Sequence, residues 1–452
     1  MSLVLNRVER GRYLDSVALM RLSRRLSGQP GVENAALMIG TPSNKALLRD
    51  AGLLARDGDA AGPNDLIIAV RATEERAGRS ALAIALEREQ AERSAELLST
   101  NTFAGALDAL PRANLALISV PGDFAANEAR KALAAGLHVL VFSSGVPIEE
   151  ERALKLLARE KGLLLMGPDC GTALIAGTPL AFANALPRGD IGIISASGTG
   201  AQEVSCLIAR LGGGVSHVIG VGGRDLDERV GALATLAAID ALEADSATST
   251  LVLISKPPAP KVAEEVIARL QRAKKKHVVC FLGRDDTTLQ AAAETATGRK
   301  MEPAQSAPAR SRGRVEALYC GGTLCSEAEL IFRRRGLSGH HFVDLGDERY
   351  TRGRPHPMIE PELRNEHVGA ALADPAVGAI LVDVVLGYGA HQDPAAVLAQ
   401  VLNGKKSVVA SVVGTDQDPQ MRSRQVAMLE QAGVLVAASN AQAAEAAAAI
   451  VS

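Results

Sequence analysis

The stretch IGIISASGTGAQEVSCLIARLG (191–212) decides the fold. A short apolar run ends in a turn of small residues. The turn opens directly onto a segment with apolar residues at helical spacing. Strand, glycine turn, helix is the half-unit of a parallel α/β sheet. Ser195, Ser197, Gly198 and Thr199 fall at the predicted helix N-terminus. First-turn N–H groups there lack helical partners, and the dipole favours an anion. Such a terminus contributes about 0.3–1 kcal/mol toward an exposed charge. The same residues also suit a plain strand-to-helix turn with a Ser or Thr cap.

Outward from this stretch the device recurs in CGGTLCSEAEL (320–330), VLGYGAHQDPAAVL (385–398) and VVGTDQDPQMRSRQ (412–425). Gly321, Gly322, Gly387 and Gly389 therefore join Ser197, Gly198 and Thr199 as predicted phosphate or anion contacts. Recurrence favours an anionic ligand, because parallel sheets bind ligands beyond the carboxyl ends of their strands. The pattern predicts an α/β chain of several Rossmann- or flavodoxin-like parallel-sheet domains behind a small α/β N-terminal domain. The expected segments are 1–110 (small α/β), 111–186 (Rossmann), 187–295 (flavodoxin-like), 296–313 (linker) and 314–452 (flavodoxin-like). In the first, a helix is expected over 16–26, strands over 34–41 and 65–72, and a long helix over about 74–98. The linker mixes Pro, Ser, Gly and Arg without periodicity.

Composition narrows the function classes. The 452 residues are 47% hydrophobic and 22% charged, with a net charge of −2, no Trp and only 2% aromatics. Neither nucleic acid nor an anionic membrane is indicated as a partner, and base-stacking platforms are unsupported. No apolar run reaches membrane-spanning length. The start, MSLVLNRVERGRYLDS, has charges within seven residues and no apolar core, so no signal peptide is expected. Five Cys with no CxxC pair predict a reducing cytoplasm, and no Cys–His spacing suggests a metal site.

Several other residues sit where chemistry is expected. GPDCGT (167–172) follows an apolar run; Asp169 reads as a general base or as a turn-former, and Cys170 as a buried inert thiol. In IGVGGRDLDERVG (219–231), Arg224 reads as a bidentate clamp for a carboxylate or as a surface salt-bridge partner. SKPPAPK (255–261) places Lys256 at a strand end. The densest polar cluster is DLGDERYTRGRPHPMIEPELRNEH (344–367). It offers His356 as an anion donor or acid–base group and Arg354 as a substrate contact, or else is a polar patch. The basic run AKKKH (273–277) closes a helix, which favours cations there.

The order SVP (119–121), GPDC (167–170), IGIISASGTG (191–200) and GVGGRD (220–225) resembles the α subunit of succinyl-CoA synthetase and its NDP-forming relatives. VDLGD (343–347) and AILVDVVLGYGA (379–390) resemble the ligase domain of the β subunit. GTPSNKALL (40–48), MGPDCGTALIAGTPLAFAN (166–184), SKPP (255–258), GGTL (321–324) and YTRGRPHPMIEPELRN (350–365) resemble FdrA-type proteins over nearly the whole chain. The synthetase resemblance implies an active-site His carrying phosphate between two helix N-termini, matched to SASGTG and GYGAHQD. Here the strand VVCFLG (278–283) leads instead to RDDTTLQAAAETATG, which has no His. No ATP-grasp domain is present. The CoA loop has no clear counterpart before residue 112, MIGTPSNK (38–45) being nearest. Neither CoA nor nucleotide is therefore assigned, and phosphate enters as a substrate. The FdrA resemblance implies a subunit of a multi-protein carbamoyltransferase of allantoin use. That system cleaves oxalurate with phosphate to oxamate and carbamoyl phosphate. Arg354, Arg224 and Lys256 are then the expected contacts of the substrate carboxylate, and His356 and Asp169 the expected catalytic groups. An oligomer is expected. The rival expectations are an NDP-forming acyl-CoA ligase working with a nucleotide-binding partner, and a non-catalytic scaffold.

Overall fold

The computed structural model describes all residues except 1, 13–15, 88–99, 101, 285–286, 303–309, 352–354, 403 and 452. They form two compact units: Met1–Leu137 with Ser143–Val146 and Arg352–Pro355, and His138–Phe142 with Pro147–Thr351 and His356–Ser452.

The first unit begins with a three-stranded antiparallel sheet in which Leu66–Ala72 lies between Leu3–Glu9 and Val32–Ile39. The central strand, LIIAVRA, is buried along its length except at Arg71. Helices Ser16–Ser27 and Glu75–Glu87 cover one face over Leu26, Leu37, Ile68 and Val70. Leu48, Leu53 and Ala61, from the segment between the second and third strands, cover the other. The edge strand Leu3–Glu9 was not expected from the sequence. Its residues are almost all half-buried, so no alternation of apolar and polar positions marks it. The expected long helix is described as Glu75–Glu87; its continuation lies outside the described residues.

The second unit carries two parallel modules. In the first, four parallel strands stand in the spatial order Val215–Gly220, Arg188–Ser195, Thr250–Ser255, Lys276–Phe281. A hairpin, Thr172–Ile175 and Thr178–Ala181, adds antiparallel to its edge. In the second module five parallel strands run His341–Asp344, Arg314–Tyr319, Val377–Val385, Ser407–Val413, Leu435–Ala437. Numbered along the chain, both modules read 2-1-3-4, the flavodoxin-type order, with a fifth strand in the second. That order places the switch point beside strand 1. The helix leaving strand 1 is Gly198–Arg210 in one module and Gly322–Arg334 in the other.

One apolar core runs through both modules, from Ile193 and Val252 to Leu381 and Val409. The closing helix Asn440–Val451 explains its own composition. Ala443, Ala444, Ala447 and Ala448 are fully buried, and small side chains let it pack between neighbours on several sides at once.

Two carboxylates tie the modules together. Glu203 accepts from the backbone N–H of Asn440, at the start of the second module's last helix (2.9 Å). Glu327 accepts from the backbone N–H of Leu289, at the start of the first module's last helix (2.6 Å), and from Asn440 Nδ2 (2.8 Å). Each module thus supplies the acid that caps the other's final helix. A carboxylate there satisfies an orphan donor and complements the dipole.

Candidate functional site

Ser197 caps the helix Gly198–Arg210, its Oγ accepting from Gly200 N (2.9 Å). The same hydroxyl donates to Thr323 Oγ1 at 2.6 Å. Thr323 is the second residue of the helix Gly322–Arg334. The contact is nearly reciprocal: a Cβ at Gly321 would lie 2.9 Å from Thr199 Oγ1. The two helices leaving strand 1 of each module therefore start at a common point. Among the described residues, the N–H groups of Gly198, Thr199, Gly322 and Thr323 meet no protein acceptor. They are the orphan first-turn donors of two helices brought together.

The structure reassigns the second pole that the synthetase resemblance attached to GYGAHQD. Gly387 N donates to Gln420 Oε1 (3.1 Å), Tyr388 N to Ala183 O (2.8 Å) and His391 N to Met358 O (2.8 Å). Gly389 lies against the Phe182 ring, at φ +80°, and Gly387 against Ala183 O, at φ +118°. These glycines serve backbone shape and close packing. The helix that follows, Pro394–Ala399, is only six residues long. CGGTL, not GYGAHQD, faces SASGTG.

Acid and base surround the second pole. Asp383, fully buried on the Val377–Val385 strand, accepts from Cys320 N (2.7 Å) and Gly321 N (2.8 Å). Burial pushes its pKa up, and Arg364 opposes the shift. Arg364 is itself buried, donating to Asp383 O and to Cys320 Sγ (3.4 Å). Asp344 ends the neighbouring strand. A Cβ at Gly322 would lie 2.2 Å from Asp344 Oδ2 and 3.3 Å from Lys256 Nζ. Burial raises the Asp344 pKa to about 6, with Gly346 N–H and Lys256 pulling against it. Lys256, exposed at the end of strand Thr250–Ser255, thus reaches the second helix's start.

His356 stands behind this acid. Its Nδ1 accepts from Met358 N (3.2 Å), and its Nε2 lies 2.5 Å from where a Cβ on Gly346 would sit. Burial lowers its pKa to about 4, so the ring is neutral at pH 7. It packs on the Asp344–Gly346 turn as a neutral group. Arg354 lies outside the described residues.

Asp169, at φ +58°, shares a cleft of about 20 Å3 with Ser195, Ser197, Gly198 and the Gly220–Gly223 turn. Desolvation raises its pKa, Glu348 adds to the rise and Arg224 opposes it. Cys170 is 3% exposed, with its thiol pushed up to about 12 by burial. Arg224 Nη2 pairs with the buried Glu151 (2.8 Å), beside Lys155, which bonds Glu151 Oε1 and Asp225 Oδ1. The arginine is thus held by the helix Ile148–Glu160.

Sequence reading missed Thr323, Asp383 and the two capping glutamates. Two signals were available. SGTGAQE (197–203) and GGTLCSE (321–327) align residue for residue in type at Gly, Thr and Glu. Asp383 is also a lone charge in an otherwise apolar strand, AILVDVV, and such a charge needs a buried partner.

The folds and the meeting of the two helix starts define the class: paired parallel modules of the CoA-ligase type. Residues 318–450 match the family model "CoA-ligase", residues 188–282 match "CoA binding domain", and residues 1–101 match "AllF, heavy metal-associated domain". The chain is 39% identical to Uncharacterized protein YahF of Escherichia coli (strain K12), over 95% of each chain, and belongs to that family. It is 31% identical to succinate–CoA ligase [ADP-forming] subunit alpha 2 of Archaeoglobus fulgidus, over 38% of this chain and 58% of that one. A solved dinucleotide forming acetyl-coenzyme A synthetase 1 of Ca. Korarchaeum cryptofilum, in complex with phosphate and ADP, aligns over 75% of this chain and 82% of its own. That alignment has 20% identity and a TM-score of 0.31.

Two of these descriptions name groups whose fit the residues decide. A heavy metal needs soft thiolate or imidazole donors. Residues 1–101 contain neither Cys nor His, the first of each being Cys170 and His138. Around Asp65, the carboxylate instead accepts from Gly11 N and Gly62 N (2.9 and 2.8 Å), and Lys45 donates to Asp59 O and Ala61 O. Without a thiolate or an imidazole, that module does not offer the donors a heavy metal usually takes. The enclosed part of the cleft at Asp169 and Ser197, about 20 Å3, has the room of one water and by itself does not hold a nucleotide. No step is derived through CoA. No helix among the described residues is long and apolar enough to cross a membrane.

Proposed function

We propose that the chain is a component of a phosphate-dependent carbamoyl- or acyl-transfer enzyme that acts with other subunits. The observation that carries this reading is the meeting of two helix N-termini at Ser197 and Thr323, with four open N–H groups and the Lys256 ammonium beside them. Fixed dipoles and a cation suit a phosphate oxyanion, and also the oxyanion that forms when a carbonyl is attacked. In this reading a phosphate oxygen attacks the carbamoyl carbon of oxalurate. The carbon–nitrogen bond to oxamate breaks, the departing nitrogen takes a proton from Asp344, whose pKa near 6 lets it carry one in mildly acid solution, and the proton released by the attacking hydrogen phosphate restores Asp344. Carbamoyl phosphate and oxamate are the products. Lys256 meets the substrate carboxylate, Asp169 lines the approach, and the neutral His356 backs the Asp344–Gly346 turn.

The second reading is a ligase-like component that makes a thioester with a nucleotide-binding partner. The matches to the "CoA-ligase" and "CoA binding domain" models favour it. The absence of a His after strand Lys276–Phe281 weighs against it. One experiment separates the two. The chain, alone and with partner proteins, is given oxalurate and phosphate, or a carboxylic acid with CoA and ATP. Carbamoyl phosphate formed only when phosphate is present supports the first reading. Thioester with ADP supports the second, and silence in every combination leaves a scaffold.

A further inference from the structure

Beside the first parallel module lies a second concavity, between its helices and a separate parallel pair of strands, His138–Val141 and Leu165–Met166, at the ends of those strands opposite Asp169. It opens where strands His138–Val141 and Leu165–Met166 begin, against the helix Leu233–Ala244, and measures about 540 Å3. Small-molecule sites run from roughly 300 to 1,000 Å3, mostly apolar with a few converging polar groups. The floor fits that description: Leu163, Leu164, Leu233, Leu236 and Ala237 face it.

The polar groups at its rim are unequally engaged. Arg269 is tied to Asp240 (2.5 Å) and Glu243 (2.5 Å). The guanidinium groups of Arg159 and Arg272 form no hydrogen bond or ion pair with described residues. Glu265 is the one rim acid in the same state. His138 accepts from Leu164 N through Nδ1 (2.9 Å), which leaves Nε2 as the donor of the neutral ring. The basic run Lys274–Lys276 follows Arg272 after one alanine. The unengaged charge is therefore two guanidinium groups against one carboxylate, above an apolar floor.

We propose that this cleft binds a small amphipathic anion, its apolar body on the leucines and its acidic group on Arg159 and Arg272. A guanidinium matches a carboxylate or sulfonate bidentately, and the leucine floor supplies area removed from water. The site is separate from the paired helix starts, so its occupancy does not depend on the transfer reaction proposed above.

The probe is 8-anilinonaphthalene-1-sulfonate, one aromatic body with one anionic group, titrated by fluorescence into the full chain, with octanoate as competitor. One saturable equivalent is expected, displaced by octanoate. Ala237→Trp, which fills the floor, should abolish it. Arg159→Ala with Arg272→Ala, both at exposed positions, should weaken it about tenfold or more. Absence of saturable binding, or binding that survives Ala237→Trp in a chain of native circular dichroism, overturns the site. Unchanged affinity in the arginine variant overturns the anionic class of the ligand.

Discussion

The two parallel modules share one strand order and cap the start of their first helix differently. In SGTGAQE (197–203) a hydroxyl does the capping: Ser197 Oγ takes Gly200 N and reaches Thr323. In GGTLCSE (321–327) the capping position is a glycine. A carboxylate from another strand, Asp383, takes the N–H groups of Cys320 and Gly321 instead. Asp344 presses on Gly322 as well. The same electrostatic pole is thus left open to a ligand in one module and attended by the chain's own acids in the other. A duplicated architecture carries two unlike half-sites. An incoming oxyanion is best received by the serine-capped half, with Lys256 and a protonated Asp344 on the other side.

The comparison breaks hardest at Asp383. Asp383→Ala leaves the buried N–H groups of Cys320 and Gly321 without an acceptor and takes a carboxylate from the neighbourhood of the buried Arg364, which keeps its bond to the residue-383 carbonyl. The expected loss is about 3–5 kcal/mol of unfolding free energy in a urea titration. Ser197→Ala, at the equivalent pole, removes a cap and the hydroxyl contact to Thr323 but buries no unpaired charge, and should cost about 0.5–2 kcal/mol in the same titration. If the two variants lose equal stability, the asymmetry of the poles is wrong.

The glutamates sharpen the comparison through pH. Burial raises the Glu327 pKa from 4.5 to about 7. The folded chain then binds more protons than the unfolded chain between those values, so stability falls as pH rises from about 4.5 to 7. Glu327→Gln has no such proton. Its unfolding midpoint, compared with the native chain's at pH 5 and pH 8, should shift in the variant's favour at the higher pH. A constant difference between the two pH values counts against a buried carboxyl that titrates there.

Anion binding gives the smaller effects. Gly198→Ala brings a Cβ to 3.2 Å from Thr172 Oγ1, tight but tolerable, whereas Gly322→Ala must evict the Asp344 carboxylate. Isothermal titration with sulfate, which keeps one charge state over this range, should show the two variants diverging. In the native chain sulfate affinity should fall as pH rises through about 6, when Asp344 ionises, and Asp344→Asn should flatten that slope. A slope unaltered in Asp344→Asn removes Asp344 from the site. The smallest expected signal is in the N-terminal module. Zn2+ or Cu+ added to the full chain should leave no equivalent that Asp65→Asn or Lys45→Ala removes, read by elemental analysis after desalting.

The parallel modules were legible because each strand ends in small residues and each helix repeats its apolar positions, as in IGIISASGTGAQEVSCLIARLG. The edge strand Leu3–Glu9 was not, since half-burial on both faces erases the alternation. Choosing the partner of SASGTG failed for a different reason. CGGTL and GYGAHQD look alike locally, and what separates them is where their N–H groups go. Gly387 bonds Gln420, 33 residues onward, and His391 bonds Met358, 33 residues back. Such pairings are set by tertiary packing and leave no mark in the local pattern. His356 was legible as a member of a polar cluster but not as a neutral group, because its state follows from burial.

The exchange of acids between Glu203 and Glu327 has a consequence for how the chain comes into being. Each half begins its closing helix with a hydroxyl of its own but with an acid borrowed from its counterpart, so the pair should acquire native order in one concerted event. A nick in the peptide between them ought to be harmless once both are present, while either fragment synthesised by itself should remain incomplete at its far terminus.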